Sequence, residues 1–479
     1  MAKKTPKILL NITHGFQVRM LLRSSIAETL LAAGAELVVC SLNADEPYFV
    51  REFSHPQITL VKMPTKSSTW ENRLSIWRQY LLMNPSLGGT LNHKLESFRR
   101  AQPKRYYLTR ALNLLLGNIP LLRHGYMRAE NRLFPATEFD PLMKQHKPDL
   151  VVTGTPGFNL HDVHALRSAK RLGITTATVM LSWDNLTSKG YMNGIPDQLL
   201  VWSDLMADEA VRYHNYPRSK IHQVGAAQFD HYATFRENFD RNTWRMKYGI
   251  PNDAPLLMYG TINPALVPHE YQIVSEIVDW MKNGRFSRPV HLWVRLHPQV
   301  VQGVYRRNVD NYLALKCERV HIEVPPVHDS CLNWDLPKED AEHLASLLTA
   351  SDVVITPNST LSIDAACVDT PIVNLFHDST GFDARGMTAR RFRFYTHYSK
   401  ILETGGIAIV DQPEQFIPAI ERYLDNPGLD REGRKAILQQ QFNGLDGRAG
   451  ERTAQALLEL CGLCFKQQYV SKSLNSPIL

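Results

Sequence analysis

The chain has 479 residues, of which 44% are hydrophobic and 21% are charged, and its formal net charge is +7. These values are typical of a soluble globular protein, and the length predicts two domains because it exceeds what one compact core can hold. No stretch approaches the ~20 uninterrupted apolar residues of a spanning helix, and the short apolar run near the N-terminus passes straight into a strand pattern, which argues against a signal peptide. The six cysteines lie mostly in apolar contexts, which favours a reducing cytoplasm over a disulfide framework.

Several classes of chemistry lack their signatures in this sequence. The modest positive charge suits an anionic substrate or an anionic membrane surface, and no DNA- or RNA-binding signature accompanies it. No His and Cys cluster has zinc spacing, and the CGLC sequence at 461–464 lacks the preceding strand of a redox motif. The predicted nucleotide-binding half contains no GxGxxG and no Walker loop, which argues against a dinucleotide oxidoreductase and a P-loop ATPase. We therefore expect no cofactor, no metal and no nucleic-acid partner.

The first part of the chain alternates strands and helices like a doubly wound α/β domain. A strand is predicted at 7–12, a helix at about 19–33 and a strand at 36–42, and the pattern resumes at 148–157. His14 and Arg19 follow the first strand, where strand ends open into a cleft. We expect His14 to act there as a base or as a contact to the acceptor, and the alternative is a solvated loop histidine.

Residues 70–135 interrupt this pattern with helical sequence that is rich in leucine and arginine. Between Phe98 and Arg132 the basic residues far outnumber the single acid, Glu130, and leucines and tyrosines are interleaved among them. Such a stretch can lie on an anionic membrane, because its basic and apolar side chains complement lipid headgroups. The alternative is a helical hairpin that packs on its own domain, and the sequence leaves both open.

A polar, charged segment at 231–253 separates the first α/β unit from a second one. We therefore predict an N-terminal Rossmann-like domain at 1–235, a C-terminal Rossmann-like domain at 245–450, and a terminal helix and tail at 451–479.

Polar groups follow two predicted strands of the second unit: Arg295, His297 and Pro298 follow one, and Asn358, Ser359 and Thr360 follow the other. The carboxyl ends of parallel strands meet at one edge of a sheet, which is where such sheets bind ligands. Guanidinium and imidazole groups contact phosphate and ribose oxygens, and the free N–H groups of a helix start favour an anion. We therefore predict a site for a nucleotide mono- or diphosphate.

Two further features extend this predicted donor site. Asp364 lies one helical turn beyond Thr360, so it can accept a hydrogen bond from a ribose hydroxyl or orient the Ser-Thr pair. An arginine-rich segment at 385–400 follows the next strand. We expect Arg385, with Arg390 as a secondary candidate, to contact a phosphate, and the alternative is a solvated surface loop.

The segment SWDNLTSKG at 182–190 is dense in hydrogen-bonding groups, as a polyol and its leaving phosphate require. As a loop it would hold Asp184 at the cleft, where a carboxylate can serve as base for an acceptor hydroxyl. The alternative is that Trp183 is core and that Asp184 and Asn185 form a turn. The residues expected to contact the acceptor or line the cleft are Trp183, Asn185, Thr187, Ser188, Lys189 and Arg19.

SWDNLTSKG, with LLVWSDLMADEAVRYH and VGAAQFD after it, resembles a family of bacterial capsule and surface-polysaccharide glycosyltransferases that is similar to the CDP-glycerol glycerophosphotransferases. RLHP (295–298) and NSTLSIDAA (358–366) resemble the HP and Ser/Thr motifs of bacterial sialyltransferases and Kdo transferases. A related pattern occurs in UDP-N-acetylglucosamine 2-epimerases. The resemblance runs over most of 7–460 and is weakest in 60–145.

This resemblance implies an α/β protein of the GT-B fold, with two doubly wound Rossmann-like domains facing across a cleft. It also implies that His297, Pro298, Ser359 and Thr360 hold the donor's phosphates and ribose, and that His397 lies near the cleft. The epimerase pattern has a glycine pair and paired acids at the helix start, and their absence here argues against epimerase activity. The N-terminal acid motif of the sialyltransferases has no evident counterpart, which argues against a CMP-sialate donor.

The expected function is transfer of a sugar from a nucleotide-activated donor, of the CMP/CDP or UDP type, to an oligosaccharide or lipid-linked acceptor of a capsule or O-antigen type polymer. Basic side chains and a helix start would stabilise the leaving nucleotide without a metal. The alternatives are a CDP-polyol (glycerol-type) phosphotransferase, a UDP-sugar 2-epimerase-like enzyme and a catalytically silent scaffold. We expect a cytoplasmic protein that lies on the inner face of the membrane if 98–132 binds lipid.

Overall fold

The computed structural model describes residues 5–65, 68–84, 89–301, 303–328, 331–379 and 389–463. Arg385 lies outside these residues, so its predicted phosphate contact stays a prediction. None of the helices in the described part is both long and apolar enough to span a bilayer.

The described strands form two sheets in which every pairing is parallel. The first sheet, in spatial order β3-β2-β1-β4-β5-β6-β7, consists of β1 Lys7–Ile12, β2 Glu36–Ser41, β3 Ile58–Lys62, β4 Leu150–Thr153, β5 Thr175–Val179, β6 Gln198–Val201 and β7 Ile221–Gln223. The second sheet, in spatial order β10-β9-β8-β11-β12-β13, consists of β8 Leu256–Gly260, β9 His291–Arg295, β10 Val320–Glu323, β11 Val353–Thr356, β12 Ile372–Leu375 and β13 Ala408–Val410. We call the parts built on these sheets the N-terminal and C-terminal domains.

The helices that connect and cover the strands are α1 Gly15–Gln17, α2 Ser25–Ala32, α3 Pro47–Phe53, α4 Thr69–Leu81, α5 Gly89–Ala101, α6 Pro103–Asn118, α7 Pro120–Leu133, α8 Asp140–His146, α9 Leu160–Arg171, α10 Asn185–Ser188, α11 Asp204–His214, α12 Arg241–Lys247, α13 Glu270–Lys282, α14 Val309–Leu313, α15 Asp340–Ala350, α16 Leu361–Cys367, α17 Thr396–Leu402, α18 Phe416–Asp425, α19 Arg431–Phe442 and α20 Ala449–Leu460. Ser24, Asn159 and Ser203 cap α2, α9 and α11, because each side-chain oxygen accepts an amide hydrogen of the first turn.

The strands at the centre of each sheet are buried on both faces, which is why they read as continuous aliphatic runs rather than alternating patterns. In each sheet the strand order reverses at one point, between β1 and β4 in the first and between β8 and β11 in the second. Thr13 and His14 follow β1, and Pro357 to Thr360 follow β11. The two predicted doubly wound sheets are therefore confirmed, and polar segments lie at their switch points, where ligands of such sheets bind.

The helical insertion, α4 to α7, packs on the N-terminal domain through buried charges. Glu130 of α7 lies 3.7 Å from both Arg78 of α4 and Arg167 of α9, and Glu71 of α4 lies 3.0 Å from His164 of α9. A buried charge without its partner is costly, so these ion pairs fix the insertion in place.

The last described helix returns to the N-terminal domain. The Asp230 carboxylate accepts hydrogen bonds from the amides of Ala449 and Gly450 at the start of α20. A Cβ at Gly450 would lie 2.0 Å from Ser25 Oγ, so a larger residue would displace the Ser25 hydroxyl where α20 approaches α2.

Candidate functional site

The predicted cleft residues meet where α17 of the C-terminal domain contacts SWDNLTSKG. The Trp183 ring lies 4.9 Å from the His397 ring and 5.7 Å from the Tyr398 ring, measured between centroids. Thr187 Oγ1 lies 3.2 Å from His397 Nδ1. These contacts join the two domains, so the structure brings His397 to the segment that the sequence assigned to the acceptor.

The segment SWDNLTSKG is not the loop that the sequence predicted. Residues Asn185–Ser188 form the single-turn helix α10, and the Asp184 carbonyl accepts from the amides of Thr187 and Ser188 at 3.1 and 2.9 Å. Asn185, Thr187 and Ser188 are buried, whereas Lys189 is exposed. Asp184 precedes a helical turn, and the many polar residues of the segment led to the prediction of a loop instead.

Asp184 does not fit the predicted role of base. Its two carboxylate oxygens accept hydrogen bonds from Ser182 Oγ at 2.6 Å and from Ser188 Oγ at 2.5 Å. Burial raises the pKa of this carboxyl, but Lys189, His397 and the two hydroxyls outweigh it and hold the pKa below the usual range. Each oxygen thus already accepts a serine hydroxyl of the same segment, which favours a positioning role for Asp184 over the predicted role of base.

His14 and His297 use the same ring nitrogen, Nδ1, to accept a backbone amide two residues further on. His14 Nδ1 accepts the Phe16 amide at 3.2 Å, and His297 Nδ1 accepts the Gln299 amide at 3.1 Å. Burial lowers the pKa of each to about 4, with the charge of Lys189 adding to the effect on His14. Each ring is therefore neutral with its proton on Nε2. This suits the oxygen contact predicted for His297, but it makes His14 a hydrogen-bond donor rather than a base.

Trp334 lies between these two histidines. Its ring centroid is 4.9 Å from that of His14 and 5.1 Å from that of His297, and both contacts are edge to face. Trp334 belongs to the segment after β10 that docks on the N-terminal domain, where Asn333 accepts the Gly15 amide at 2.9 Å. The sequence analysis missed this residue, although a tryptophan flanked by the turn-forming residues Asn333 and Asp335 is a recognisable signal.

His397 has the opposite proton arrangement. The Thr187 hydroxyl donates to the Asp184 carbonyl at 3.2 Å, so its oxygen accepts the proton of His397 Nδ1. Burial lowers the pKa of His397 to about 4, with Lys94, Lys189 and Lys400 acting in the same direction and Asp184 opposing them. The ring is thus neutral with a lone pair on Nε2, which is the arrangement that a general base requires.

The predicted donor site includes the start of α16. Asn358, Ser359 and Thr360 are half-buried, and Ser359 Oγ accepts the Leu361 amide at 3.2 Å. Ser362, one turn further on, shares a hydrogen bond of 3.0 Å with the hydroxyl of Tyr398. Because the Tyr398 ring also contacts the Trp183 ring, α16 is linked through one aromatic residue to the segment from the other domain.

Asp364 is buried on the next turn of α16 and accepts the Tyr232 hydroxyl at 2.8 Å. Burial raises its pKa, and the charge of Arg19 and the Tyr232 hydrogen bond act against that rise. Arg19 is half-buried and donates to the Gln228 carbonyl at 3.4 Å. The structure therefore places Arg19, which was expected on the acceptor side, near the predicted ribose contact.

Arg295 does not contribute a free cation to the phosphate site. Its guanidinium is buried in ion pairs with Glu323 and with Asp340, the latter at 2.5 Å. Burial lowers the pKa of Arg295, but the two carboxylates raise it by more than burial lowers it, so the net shift is upward. The sequence showed Arg295 at the end of a strand but could not show the two acids that neutralise it. Pro298 begins a turn of 3-10 helix directly after His297, as a rigid support for that histidine.

A cavity of about 750 Å³ adjoins this site between the domains. Its lining includes Arg19, Trp334, His231 and Phe235. Neither Ser359 nor Thr360 is among the described residues that line it, so the cavity lies beside the predicted phosphate site rather than over it. Its volume is within the range of ~300–1,000 Å³ that small-molecule sites occupy.

Lysine side chains give the cleft a positive potential. Lys189 is exposed at the end of SWDNLTSKG, and its charge lowers the pKa of Asp184, His14 and His397. Lys94 of α5 donates to the Ser188 carbonyl at 2.9 Å. The sequence analysis did not single out Lys94, because nothing local distinguishes it from the other basic residues of the insertion. Within the described ranges, no group of three or more His, Cys, Asp or Glu residues could hold a metal ion.

Two doubly wound parallel sheets that face each other across a cleft define a protein of the GT-B fold. The solved structures bear this out: S. aureus MnaA in complex with UDP is similar with a TM-score of 0.56 at 11% identity, covering 95% of this chain and 98% of that one. A Methanocaldococcus jannaschii UDP-GlcNAc 2-epimerase has a TM-score of 0.53 at 15% identity, covering 95% and 100%. A Rickettsia africae glycosyltransferase has a TM-score of 0.51 at 11% identity, covering 96% and 98%.

The chain belongs to the CDP-Glycerol:Poly(glycerophosphate) glycerophosphotransferase family, whose model matches residues 146–459. This match spans more than half of the chain and includes SWDNLTSKG, RLHP and NSTLSIDAA, the motifs that carried the resemblance. No curated protein gives a significant sequence match. The resemblance to a GT-B family similar to the CDP-glycerol transferases is confirmed.

Proposed function

We propose that the protein transfers a polyol phosphate from a CDP-type donor to a hydroxyl of a surface-polymer acceptor. The observation that carries the proposal is the position of the half-buried start of α16 at one switch point and of His14 at the other, with His297 just after β9 and His397 in α17 against SWDNLTSKG. Family membership supports the polyol phosphate over the sugar that the sequence analysis favoured. The structure of S. aureus MnaA with UDP supports a nucleotide as a ligand of this fold.

The donor's phosphates would lie at the start of α16. There the amides of the first turn, the Ser359 and Thr360 hydroxyls and the Nε2–H of His297 can donate to phosphate oxygens. Asp364 would accept from a ribose hydroxyl. These groups stabilise the charge that accumulates on the departing nucleotide, and such stabilisation needs no metal.

The acceptor hydroxyl would lie against His397. Its oxygen forms a bond to the donor phosphorus distal to the cytidine, while the bond from that phosphorus to the bridging oxygen breaks and CMP departs. The hydroxyl proton passes to Nε2 of His397, whose Nδ1–H is held by Thr187. Asp184 supports this arrangement through the carbonyl that accepts from Thr187.

Transfer of a sugar is the second candidate, favoured by the adjoining cavity of about 750 Å³, which has room for a nucleotide-bound sugar. The two reactions leave different products. Transfer of a polyol phosphate releases CMP, whereas transfer of a sugar from a nucleoside diphosphate releases the diphosphate. Chromatography of the nucleotide after incubation with donor and acceptor separates them.

Calorimetric titration of the full chain with CMP, CDP, UDP and GDP tests the donor site. We expect the cytidine nucleotides to bind, and His297→Ala to weaken that binding about tenfold or more, because a charge-assisted hydrogen bond is lost. His124→Ala is the matched control, since His124 is exposed on α7. Binding of none of the four nucleotides, or equal affinity in the two variants, would refute the donor site.

We also propose that α6 and α7 dock on an anionic membrane surface. Leu114, Leu115 and Leu121 are 50%, 48% and 79% exposed. Lys104 and Arg128 are exposed on the same two helices, so apolar and basic groups are available together to lipid headgroups.

Cosedimentation with vesicles tests this second proposal. The double substitution Leu115→Asp and Leu121→Asp should reduce the fraction bound to anionic vesicles. Val304→Asp, at a residue 72% exposed in the C-terminal domain, should leave it unchanged. An unchanged bound fraction in the double variant would refute membrane docking through α6 and α7. Deleting the two helices is a poorer test, because it would strip the buried Glu130 from Arg78 and Arg167.

A further inference from the structure

The cavity of about 750 Å³ lies where three segments of the chain meet. Residues 15–28 follow β1, residues 227–235 follow β7, and residues 334–342 follow β10. Together they supply every described lining residue except Gly447. The first two segments belong to the N-terminal domain and the third to the C-terminal domain, so a ligand of this cavity would contact both domains.

Aromatic rings form a corner of this cavity. The Phe16 and Trp334 rings lie 5.2 Å apart between centroids at an angle of 67°, and both residues are half-buried and line the cavity. Phe235 adds a third half-buried ring from another segment. Such rings favour a partner that presents C–H groups. Because the Trp334 ring also contacts those of His14 and His297, the corner directly adjoins the candidate site.

The polar lining has hydrogen-bonding capacity that the described residues leave unused. The Arg19 guanidinium donates one hydrogen bond among them, to the Gln228 carbonyl at 3.4 Å, although a guanidinium carries five N–H donors. Gln228 Oε1, His231 Nε2 and Ser25 Oγ are buried atoms on lining residues, and none has a partner in the described part of the chain. Buried polar atoms of this kind mark places where hydrogen bonding is completed from outside the chain.

The charged lining does not select an anion. Arg23 is already paired with Glu52 and Asp335, and Asp340 is paired with Arg295. The other charged groups at the cavity have both signs: Arg19 and Lys338 are basic, whereas Glu28, Glu339 and Glu342 are acidic. A neutral ligand meets no net repulsion from such a mixture, whereas a phosphate would face the acids.

We propose that this cavity binds a neutral, hydroxyl-rich group of a substrate, which is either a polyol or a sugar. Its C–H groups pack on Phe16, Trp334 and Phe235, and its hydroxyls, which both donate and accept, hydrogen-bond Arg19 and the neighbouring polar side chains. The inference rests on the proposed function and gives it a subsite beside the predicted phosphate site. Two sources share this chemistry: the group that the donor transfers, and a unit of the acceptor polymer.

Phe235→Leu in the full chain tests the subsite, and Phe239→Leu is its matched control. The two rings stack on each other at 5.5 Å and both are half-buried, but only Phe235 lines the cavity. Both substitutions therefore break the same stack, and only one removes a ring from the cavity. Phe16→Leu is a second test variant, from a different segment.

The probes are ribitol, an open-chain polyol, and methyl β-glucoside, a sugar ring, each titrated by calorimetry. We expect at least one of them to bind, and Phe235→Leu and Phe16→Leu to weaken that binding about fivefold, as loss of one aromatic contact implies. Phe239→Leu should leave the affinity unchanged. The proposal would be overturned if neither probe binds, or if both test variants bind as tightly as Phe239→Leu.

Competition with nucleotides distinguishes the two sources, because CDP-glycerol carries a polyol that CDP lacks. Displacement of the bound probe by CDP-glycerol but not by CDP assigns the cavity to the group that the donor transfers. A probe that stays bound in the presence of both assigns it to the acceptor. Displacement by CDP itself would show that the nucleotide fills the cavity, and that result would also overturn the proposal.

Failure of the subsite is separable from failure of the proposed function. If no nucleotide binds but a probe binds through Phe235 and Phe16, the subsite stands and the nucleotide-dependent reaction falls. If nucleotides bind through His297 and neither probe binds, the reaction stands and the subsite falls.

Discussion

Arg23 and Asp335 form a buried ion pair that joins the two domains, with Arg23 Nη1 2.8 Å from Asp335 Oδ1. Asp335 lies in the segment after β10, and its second oxygen accepts the Tyr48 hydroxyl at 2.6 Å. This anchoring holds the neighbouring Trp334 between His14 and His297, with its backbone at a φ of 60°. A bulky residue adopts that left-handed conformation only where its surroundings fix it, so the ion pair supports the geometry of the cleft.

Replacing Asp335 by Asn should destabilise the protein by about 2–3 kcal/mol, because the buried guanidinium of Arg23 loses one carboxylate partner and keeps Glu52. Urea unfolding measures the change. The control is Arg218→Met, which breaks the exposed pairs of Arg218 with Asp204 and Asp208 and should cost less than about 1 kcal/mol. Equal losses of unfolding free energy in the two variants would show that the interdomain pair stabilises the protein no more than exposed pairs do.

Gly15 is where the backbone of this docked segment passes closest to the N-terminal domain. A Cβ at Gly15 would lie 2.3 Å from both the Asp335 nitrogen and the Trp334 oxygen. These are backbone atoms that cannot rotate away, so Gly15→Ala should displace the segment. We expect faster tryptic cleavage after the exposed Lys338 and weaker nucleotide binding in this variant.

Gly125→Ala provides the control for Gly15→Ala. Gly125 lies within α7 with nothing within 4 Å of its added Cβ, so alanine there should stabilise the helix by about 1 kcal/mol. A Gly15→Ala protein that resists trypsin like the Gly125→Ala protein would contradict the predicted contact.

The sequence predicted the parts of the site that depend on local pattern. The strand predicted before Asn358 is present at Val353–Thr356, because a short β-branched run closed by a turn has few alternatives in a parallel sheet. The helix start at Thr360 followed from the same reasoning. These features depend on neighbours within a few residues, so they can be read from one sequence.

The parts that could not be predicted depend on contacts between distant residues. Arg295 is neutralised by Glu323 and Asp340, which lie 28 and 45 residues further along the chain. Lys94 reaches the cleft through Ser188, 94 residues away. Residue type and position predicted a phosphate contact for Arg295, and only the packing shows that two acids already neutralise it.

Thr187 should act as a positioning residue for His397. Thr187→Val keeps the shape but removes the oxygen that accepts from His397 Nδ1 at 3.2 Å. The lone pair on Nε2 is then no longer fixed, so we expect kcat to fall about tenfold, as for the loss of one hydrogen bond that orients the base, with little change in KM. Thr187→Ser should restore the rate. A Thr187→Val enzyme with unchanged kcat, or one that Thr187→Ser does not rescue, would refute the role.

The charges of Lys94 and Lys189 should set the acidic limit of the reaction. Burial is the largest cause of the lowered pKa of His397, about 4, and the charges of Lys94, Lys189 and Lys400, the last paired with Glu209, add to it while Asp184 opposes it. The base must be neutral, so activity should be lost as the pH falls through the pKa of His397. Lys189→Met removes one repelling charge and raises that pKa, so the acidic limb of the pH profile of kcat/KM should move to higher pH. The same limb should stay in place in Lys104→Met, and a limb that moves to lower pH in Lys189→Met would show that another group is the base.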